Sequence, residues 1–110
     1  MPGIVVLHGD AYAYEELSLG DDAAHGITAA NLSDGDQPSH YALLTVSVHT
    51  INFTLDGTAP TAEAGTGVGH PMVAGTSYII EGHNNIRNFK AINRVAGSDG
   101  EVRITLFTRG

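Results

Sequence analysis

The sequence predicts an all-β protein, a single antiparallel β-sandwich or jelly-roll-like domain with seven or eight short strands. Apolar and polar residues alternate with the period of two that is typical of strands, and β-branched residues are frequent. Turns rich in Gly, Asp and Pro interrupt this alternation every few residues, and the chain has 14 glycines in all. At 110 residues the chain has the length of one domain, and no repeat or linker divides it.

The N-terminal segment, MPGIVVLHGD, has two interpretations that the residues leave open. Residues 1–13 form either a first strand, at residues 4–8, or an arm that pairs with the sheet edge of a neighbouring copy, and residues 14–110 form the sandwich. The segment has no basic region and only a four-residue apolar run, so we expect no signal peptide. The interface residues of such an arm are Ile4, Val5, Val6 and Leu7.

The strand pattern in the first half of the chain is strongest at residues 41–49, YALLTVSVH. The alternation continues through residues 51–55, which leaves open one long bent strand or two strands in tandem. Residues 14–19 and 26–32 are further candidates. The second of these ends at the turn-rich sequence SDGDQPS.

Three strands are predicted in the second half, at residues 77–81, 89–95 and 101–108. The alternation slips by one residue at Arg87-Asn88, which predicts a β-bulge there. The sequence Ser98-Asp99-Gly100 is typical of a hairpin turn, so the last two strands are expected to pair with each other.

The sequence FTLDGTAPTAEAGTGVG, at residues 53–69, is the most distinctive in the chain. Its glycines lack the Lys-Ser/Thr of a phosphate-binding loop, and no helical pattern follows them. Asp56 and Glu63 are too few carboxylates for a dedicated calcium site. The sequence therefore predicts an ordered loop without catalytic function.

Five residues of this loop have turn-forming chemistry. Asp56 can accept a hydrogen bond from the backbone two residues later, and Gly57 permits a positive φ. Pro60 stiffens the end of the turn. The hydroxyl groups of Thr58 and Thr61 can satisfy backbone groups of the loop.

The charge distribution argues against nucleic acid as a partner. The net charge is −7, and residues 1–86 contain ten Asp or Glu without a single Lys or Arg. Residues 87–110 contain five Lys or Arg and two acidic residues. A protein that neutralises phosphates needs a basic surface, which the first 86 residues do not supply.

The sequence predicts no catalytic, cofactor-binding or metal-binding residues and no membrane-spanning segment. No cysteine is present, no G-x-S-x-G nucleophile motif occurs, and no stretch has about 20 consecutive apolar residues. Adjacent carboxylates on a strand point to opposite faces, which makes a shared acid–base site improbable. The histidines are scattered without the close pairing of a metal-binding strand: His8, His25, His40, His49, His70 and His83.

The segment at residues 51–107 resembles small virion-associated proteins of tailed bacteriophages. It has an alternating strand, a turn of the form F/Y-x-L/V-D-G-T-x-P-T, a Gly-His pair, an apolar-Ala-Gly step and a strand of the form F-K/R-A-I. The sequence ELSLGDDAAHGITAANL is similar to the N-terminal part of such proteins, so the resemblance covers residues 14–108.

This resemblance implies a structural protein of the virion, made in the host cytoplasm, with no enzymatic activity and no cofactor. It favours a head decoration (cement) protein, a homo-oligomer, with a trimer favoured, that binds the major capsid protein or another virion protein. A neck, tail or fibre component is the alternative.

A second resemblance shares the same loop. The sequence FTLDGTAPT is similar to the Y-T-x-D-G-S/T-x-P-T motif of immunoglobulin-like accessory domains of chitobiases and other glycoside hydrolases. That resemblance implies a carbohydrate-binding module. A planar aromatic platform is usual in such modules, yet this chain has no Trp and only seven Phe or Tyr.

Overall fold

The computed structural model describes residues 9–63, 67–95 and 97–109. It confirms the predicted all-β antiparallel sandwich, in which two four-stranded sheets pack together. One six-residue helix, α1 (His83–Asn88), and one turn of 3-10 helix, Ala29–Asn31, accompany the strands. The strands are β1 Ala11–Leu19, β2 His25–Gly26, β3 Ser33–Asp34, β4 Gln37–Pro38, β5 Tyr41–Val48, β6 Ile51–Thr54, β7 His70–Met72, β8 Ser77–Glu81, β9 Lys90–Asn93 and β10 Gly100–Phe107.

The first sheet has the strand order β1-β10-β5-β8, and the second has the order β2-β9-β6-β7. Strands β3 and β4 form a separate small hairpin. The alternation along β5 and β10 explains the sandwich, because every second side chain of each strand points to the second sheet. These side chains are fully buried in the centre of both strands: Ala42, Leu44 and Val46 of β5, and Val102, Ile104 and Leu106 of β10.

Strands β5 and β6 are two strands and not one bent strand. The chain leaves the first sheet at His49, which has a φ of 56°, and enters the second sheet at Ile51. The His49 Nδ1 atom lies 2.8 Å from the carbonyl oxygen of Asp99, which is close enough for a hydrogen bond. The left-handed backbone at His49 thus lets the chain pass from the first sheet to the second while the apolar alternation continues.

Two predictions about local structure were wrong. Residues 26–32 do not form a strand beyond Gly26, because the Thr28 N–H donates to the carboxylate of Glu15 (2.8 Å) and the chain then turns into the 3-10 helix. The slip at Arg87-Asn88 is helix α1 and not a β-bulge. This helix is amphipathic over a single turn, and its Ile86 side chain is fully buried in the core.

The predicted hairpin between the last two strands was also wrong. Strand β9 belongs to the second sheet and β10 to the first, so Ser98-Asp99-Gly100 connects the two sheets. The fully buried Asn93 organises this connection, since its side-chain amide donates to the carbonyl groups of Val95 (2.8 Å) and Ser98 (2.5 Å). A turn sequence fixes the reversal of the chain but not the sheet that the next strand joins.

The predicted arm or first strand, with Ile4, Val5, Val6 and Leu7, lies outside the described residues. Strand β1 begins at Ala11 and pairs with β10 along its length. Within residues 9–63, 67–95 and 97–109, no helix is long and apolar enough to cross a membrane.

Candidate functional site

The loop that follows β6 contains all five turn-forming residues predicted from the sequence. It begins with a turn closed by a side chain, in which the Thr58 N–H donates to Asp56 Oδ1 at 3.0 Å. Gly57 lies between these two residues with a φ of 88°. The hydrogen bonds from Thr58 stabilise the charged carboxylate and hold the pKa of Asp56 below its ordinary value.

Two buried side chains of β6 bind the backbone of this loop. The Thr54 hydroxyl donates to the carbonyl oxygen of Thr58. The side-chain amide of Asn52 donates to the carbonyl oxygen of Thr61 at 2.8 Å. An apolar side chain at either position would remove a donor that one of these loop carbonyl groups uses, so the strand holds the loop in one conformation.

The two arms of the loop also bind each other. The Thr61 N–H donates to the Val68 carbonyl oxygen at 3.0 Å, and the Val68 N–H donates to the Thr61 hydroxyl at 2.7 Å. The Glu63 N–H donates to the carbonyl oxygen of Arg94, which ties the loop to the end of β9. The polar groups of these loop residues are thus used to hold the loop itself.

Pro60 and Gly69 pack where the loop returns to the sheet. Pro60 is buried, and Gly69 has a φ of 121°. A Cβ atom at residue 69 would lie 3.0 Å from the carbonyl oxygen of Phe53 and 3.3 Å from the Cβ atom of Pro60. Only glycine fits this position without moving the backbone of β6.

An open cleft of about 520 Å³ lies between the loop and α1. Asn85 of α1 forms one wall, and the side-chain amide of Asn85 donates to the Glu81 carbonyl oxygen at 2.9 Å. The cleft offers hydroxyl, carboxylate, amide and imidazole groups in an otherwise aliphatic surface. Its lining consists of Thr54, Leu55, Asp56, Thr58, Val68, Gly69, His70 and Asn85.

The structure also brings together a serine and a histidine that the sequence analysis did not connect. Ser39 Oγ lies 2.9 Å from His83 Nδ1, beside a cleft of about 370 Å³ that His40 and Arg109 also line. The two residues are 44 positions apart, so no local motif could have predicted the pair. Ser39 is only 1% exposed, and a nucleophile needs access to its substrate. The pair therefore fits a part-buried structural hydrogen bond better than a catalytic dyad.

The described histidines are otherwise dispersed over the sandwich. Among residues 9–63, 67–95 and 97–109, no three His, Asp or Glu side chains lie close enough together to hold a metal ion. His25 lies on β2 and His49 between β5 and β6, whereas His70 lies on β7 at an angle to the ring of Phe53.

In comparisons with known proteins, no family model, curated protein or solved structure matches this chain.

Proposed function

We propose that this chain is a non-enzymatic structural protein of a tailed bacteriophage virion, a homo-oligomeric head decoration (cement) protein that binds and stabilises the lattice of the major capsid protein. The observation that carries the proposal is the loop after β6. This loop contains the motif similar to that of small virion proteins, and its polar groups hold its own backbone in a fixed shape. A fixed loop loses little conformational entropy when another protein binds it.

The surface of the chain is compatible with the outside of a particle that packages DNA. The net charge of −7 opposes binding to packaged DNA, and the proposal includes no nucleic-acid partner. The five Lys and Arg side chains are all described and do not lie on one strand or helix: Arg87 lies on α1, Lys90 on β9, Arg94 after β9, Arg103 on β10 and Arg109 after β10.

The proposed mechanism is mechanical. Each copy would bury surface across neighbouring capsid subunits, and linked copies of one oligomer would bind several lattice sites together. Linkage converts the second binding event into an intramolecular one, so that weak individual contacts can give an avidity larger by about 10²–10⁴. An oligomer that bridges subunits in this way would resist expansion or rupture of the head.

The test is co-sedimentation of the purified protein with phage heads that lack it. We expect saturable binding at a fixed number of copies per capsid subunit and heads that rupture at a higher temperature. Tail and neck assemblies from the same phage serve as the matched control. Binding to those assemblies and not to heads would replace decoration with a neck, tail or fibre role, and binding to neither would reject the proposal.

A second candidate function is carbohydrate binding in the cleft between the loop and α1. The lining offers the Asp56 carboxylate, the Asn85 amide and the Thr54 and Thr58 hydroxyls, which are groups that bind sugar hydroxyls. A pull-down with insoluble chitin and other polysaccharides tests this candidate, with Asp56→Asn and Asn85→Ala as variants. Retention of the wild type but not of the variants would support it, and no retention of the wild type would retire it.

A further inference from the structure

We infer that β8 is a self-association surface, and that two copies of this chain join by antiparallel pairing of β8 with β8 about a two-fold axis at Ile79. The pairing would extend the first sheet into one continuous sheet of both copies. The inference rests on the homo-oligomer proposed above and gives it a two-fold contact, in place of the trimer that the resemblance favours. The experiments below use the purified protein without phage heads. If β8 pairing fails in them, the binding of the protein to heads is still to be tested separately.

Among the described residues, the other three edges of the two four-stranded sheets carry features that oppose strand pairing. In the second sheet β2 has only two residues, and β7 has three residues that include Pro71, which has no N–H to donate. In the first sheet β1 has a register shift between Ala11 and Ala13. Strand β1 also carries the carboxylates of Glu15 and Glu16, and charged side chains on an edge oppose strand pairing.

Strand β8, Ser77–Glu81, contains neither proline nor a basic residue, although lysine and proline are the usual protection of an edge. Ile79 lies at its centre with 47% of its surface exposed. Ile79 is opposite Leu43 of β5 in the register of the sheet, so two apolar side chains lie side by side on the outer face at this edge. A second copy would cover the exposed Ile79.

The hydrogen-bonding register of β8 with β5 decides which backbone groups of β8 point to the open edge. Two hydrogen bonds flank the ends of β8: the Val46 N–H donates to the Thr76 carbonyl oxygen, and the Gly82 N–H donates to the His40 carbonyl oxygen. Residues 76 and 82 therefore point their backbone groups towards β5, and so do the even-numbered residues between them. The N–H and C=O groups of odd-numbered residues therefore point to the open edge: Ser77, Ile79 and Glu81. The Glu81 carbonyl oxygen already accepts from Asn85 at 2.9 Å, so the proposed pairing would use the N–H and C=O groups of Ser77 and Ile79 and the N–H of Glu81.

The charges are compatible with two-fold pairing at Ile79. In this register Ile79 lies opposite its own copy and Glu81 lies opposite Ser77, so no two carboxylates face each other. Ser77 is hydrogen-bonded to Thr45 at 3.0 Å, and Thr45 pairs with Arg103 in the sheet. Each Glu81 would thus face the polar pair of Ser77 and Thr45, since Arg103 beyond them is already paired with Glu101 (3.0 Å) and Glu16 (3.8 Å).

The first experiment measures the mass of the full chain in solution by light scattering. We expect a dimer of twice 11.5 kDa for the wild type and a monomer for Ile79→Lys, in which two cations would face each other across the axis. Val73→Lys is the matched control, because Val73 is 51% exposed and lies outside β8. We expect this control to remain a dimer.

A second experiment tests the axis itself. The chain has no cysteine, so Ile79→Cys introduces a single thiol, and residues opposite each other in a hydrogen-bonded antiparallel pair lie about 5.5 Å apart at Cα, within disulfide range. We expect a disulfide-linked dimer on oxidation of Ile79→Cys and not of Val73→Cys. The inference would be overturned if the wild type were a monomer or a trimer. It would also be overturned if Ile79→Lys left the oligomer intact and Ile79→Cys formed no cross-link.

Discussion

At the scale of single residues, the loop after β6 depends on positions where the backbone and not the side chain is decisive. Gly57 and Gly69 both have positive φ values, 88° and 121°, but their surroundings differ. A Cβ atom at residue 57 would meet open space, whereas one at residue 69 would contact the backbone of Phe53. The two glycines therefore separate the effect of backbone conformation from that of close packing.

We expect Gly69→Ala to destabilise the protein more than Gly57→Ala. The left-handed backbone alone should cost Gly57→Ala about 1–2 kcal/mol. At residue 69 the contacts with Phe53 and Pro60 add to this cost, and we expect a loss of about 3 kcal/mol in the free energy of unfolding. Urea denaturation of both variants measures the difference. Equal losses would show that packing at residue 69 contributes nothing.

The carboxylate of Asp56 gives the loop a dependence on pH. Its pKa is lowered in the folded state by hydrogen bonds from Thr58, so the carboxylate stabilises the fold above its unfolded pKa of about 4. This stability is lost as the pH falls through the folded pKa. We expect Asp56→Asn, which keeps an acceptor oxygen but cannot titrate, to show a shallower decline of the urea midpoint below about pH 4. The same decline in both proteins would contradict this account.

Some contacts between residues could not be predicted from the sequence. The turn at Asp56 and Gly57 could be predicted because its hydrogen bond joins neighbours close in the chain, Asp56 and Thr58. Ser39 and His83 were not connected, since only the folded sheets bring them within 2.9 Å. The support of the loop by Asn52 was missed for a similar reason, because an alternating strand pattern does not tell which polar side chain is buried.

At the scale of elements, alternation predicted the strands better than their connections. The prediction for β8, residues 77–81, agrees with the structure, and so does the centre of β5. Alternation does not indicate which sheet a strand joins, so the sequence did not decide between one bent strand and the two strands, β5 and β6, that meet at His49. Helix α1 was missed because six residues are too short for a helical period to stand out from a slip in strand alternation.

The connection between β9 and β10 depends on Asn93, and we expect Asn93→Ala to lower the free energy of unfolding by about 2–3 kcal/mol. The substitution removes both hydrogen bonds that its amide donates, to Val95 and Ser98, from a fully buried position. Asn84→Ala is the matched control, because Asn84 is exposed on α1 and should change stability by less than about 0.5 kcal/mol. Thermal and urea unfolding measure both. Equal stabilities would mean that Asn93 does not organise the connection.

At the scale of the whole molecule, one core joins the two sheets. Ile51 of β6 contributes a fully buried side chain from the second sheet, and Leu44 and Ile104 contribute them from the first. Phe89, between α1 and β9, adds another. The strands that pair in the first sheet are far apart in the chain, with Ala11 opposite Phe107. Neither sheet can bury its apolar face alone, so the sandwich should unfold as one cooperative unit.

This cooperativity gives a prediction for Ile51→Ala. Ile51 belongs to the second sheet and is fully buried, so its truncation should lower the global stability by about 2–5 kcal/mol. If the sheets unfold together, the slowest-exchanging amides of β10 in the first sheet should lose protection by the same free energy. Hydrogen exchange measured by NMR compares these amides between wild type and variant, with Val73→Ala as the exposed control that should leave them unchanged. Loss of protection confined to β6, β7 and β9 would instead mean that the two sheets unfold separately. The conformation of β8 would then depend on the first sheet alone.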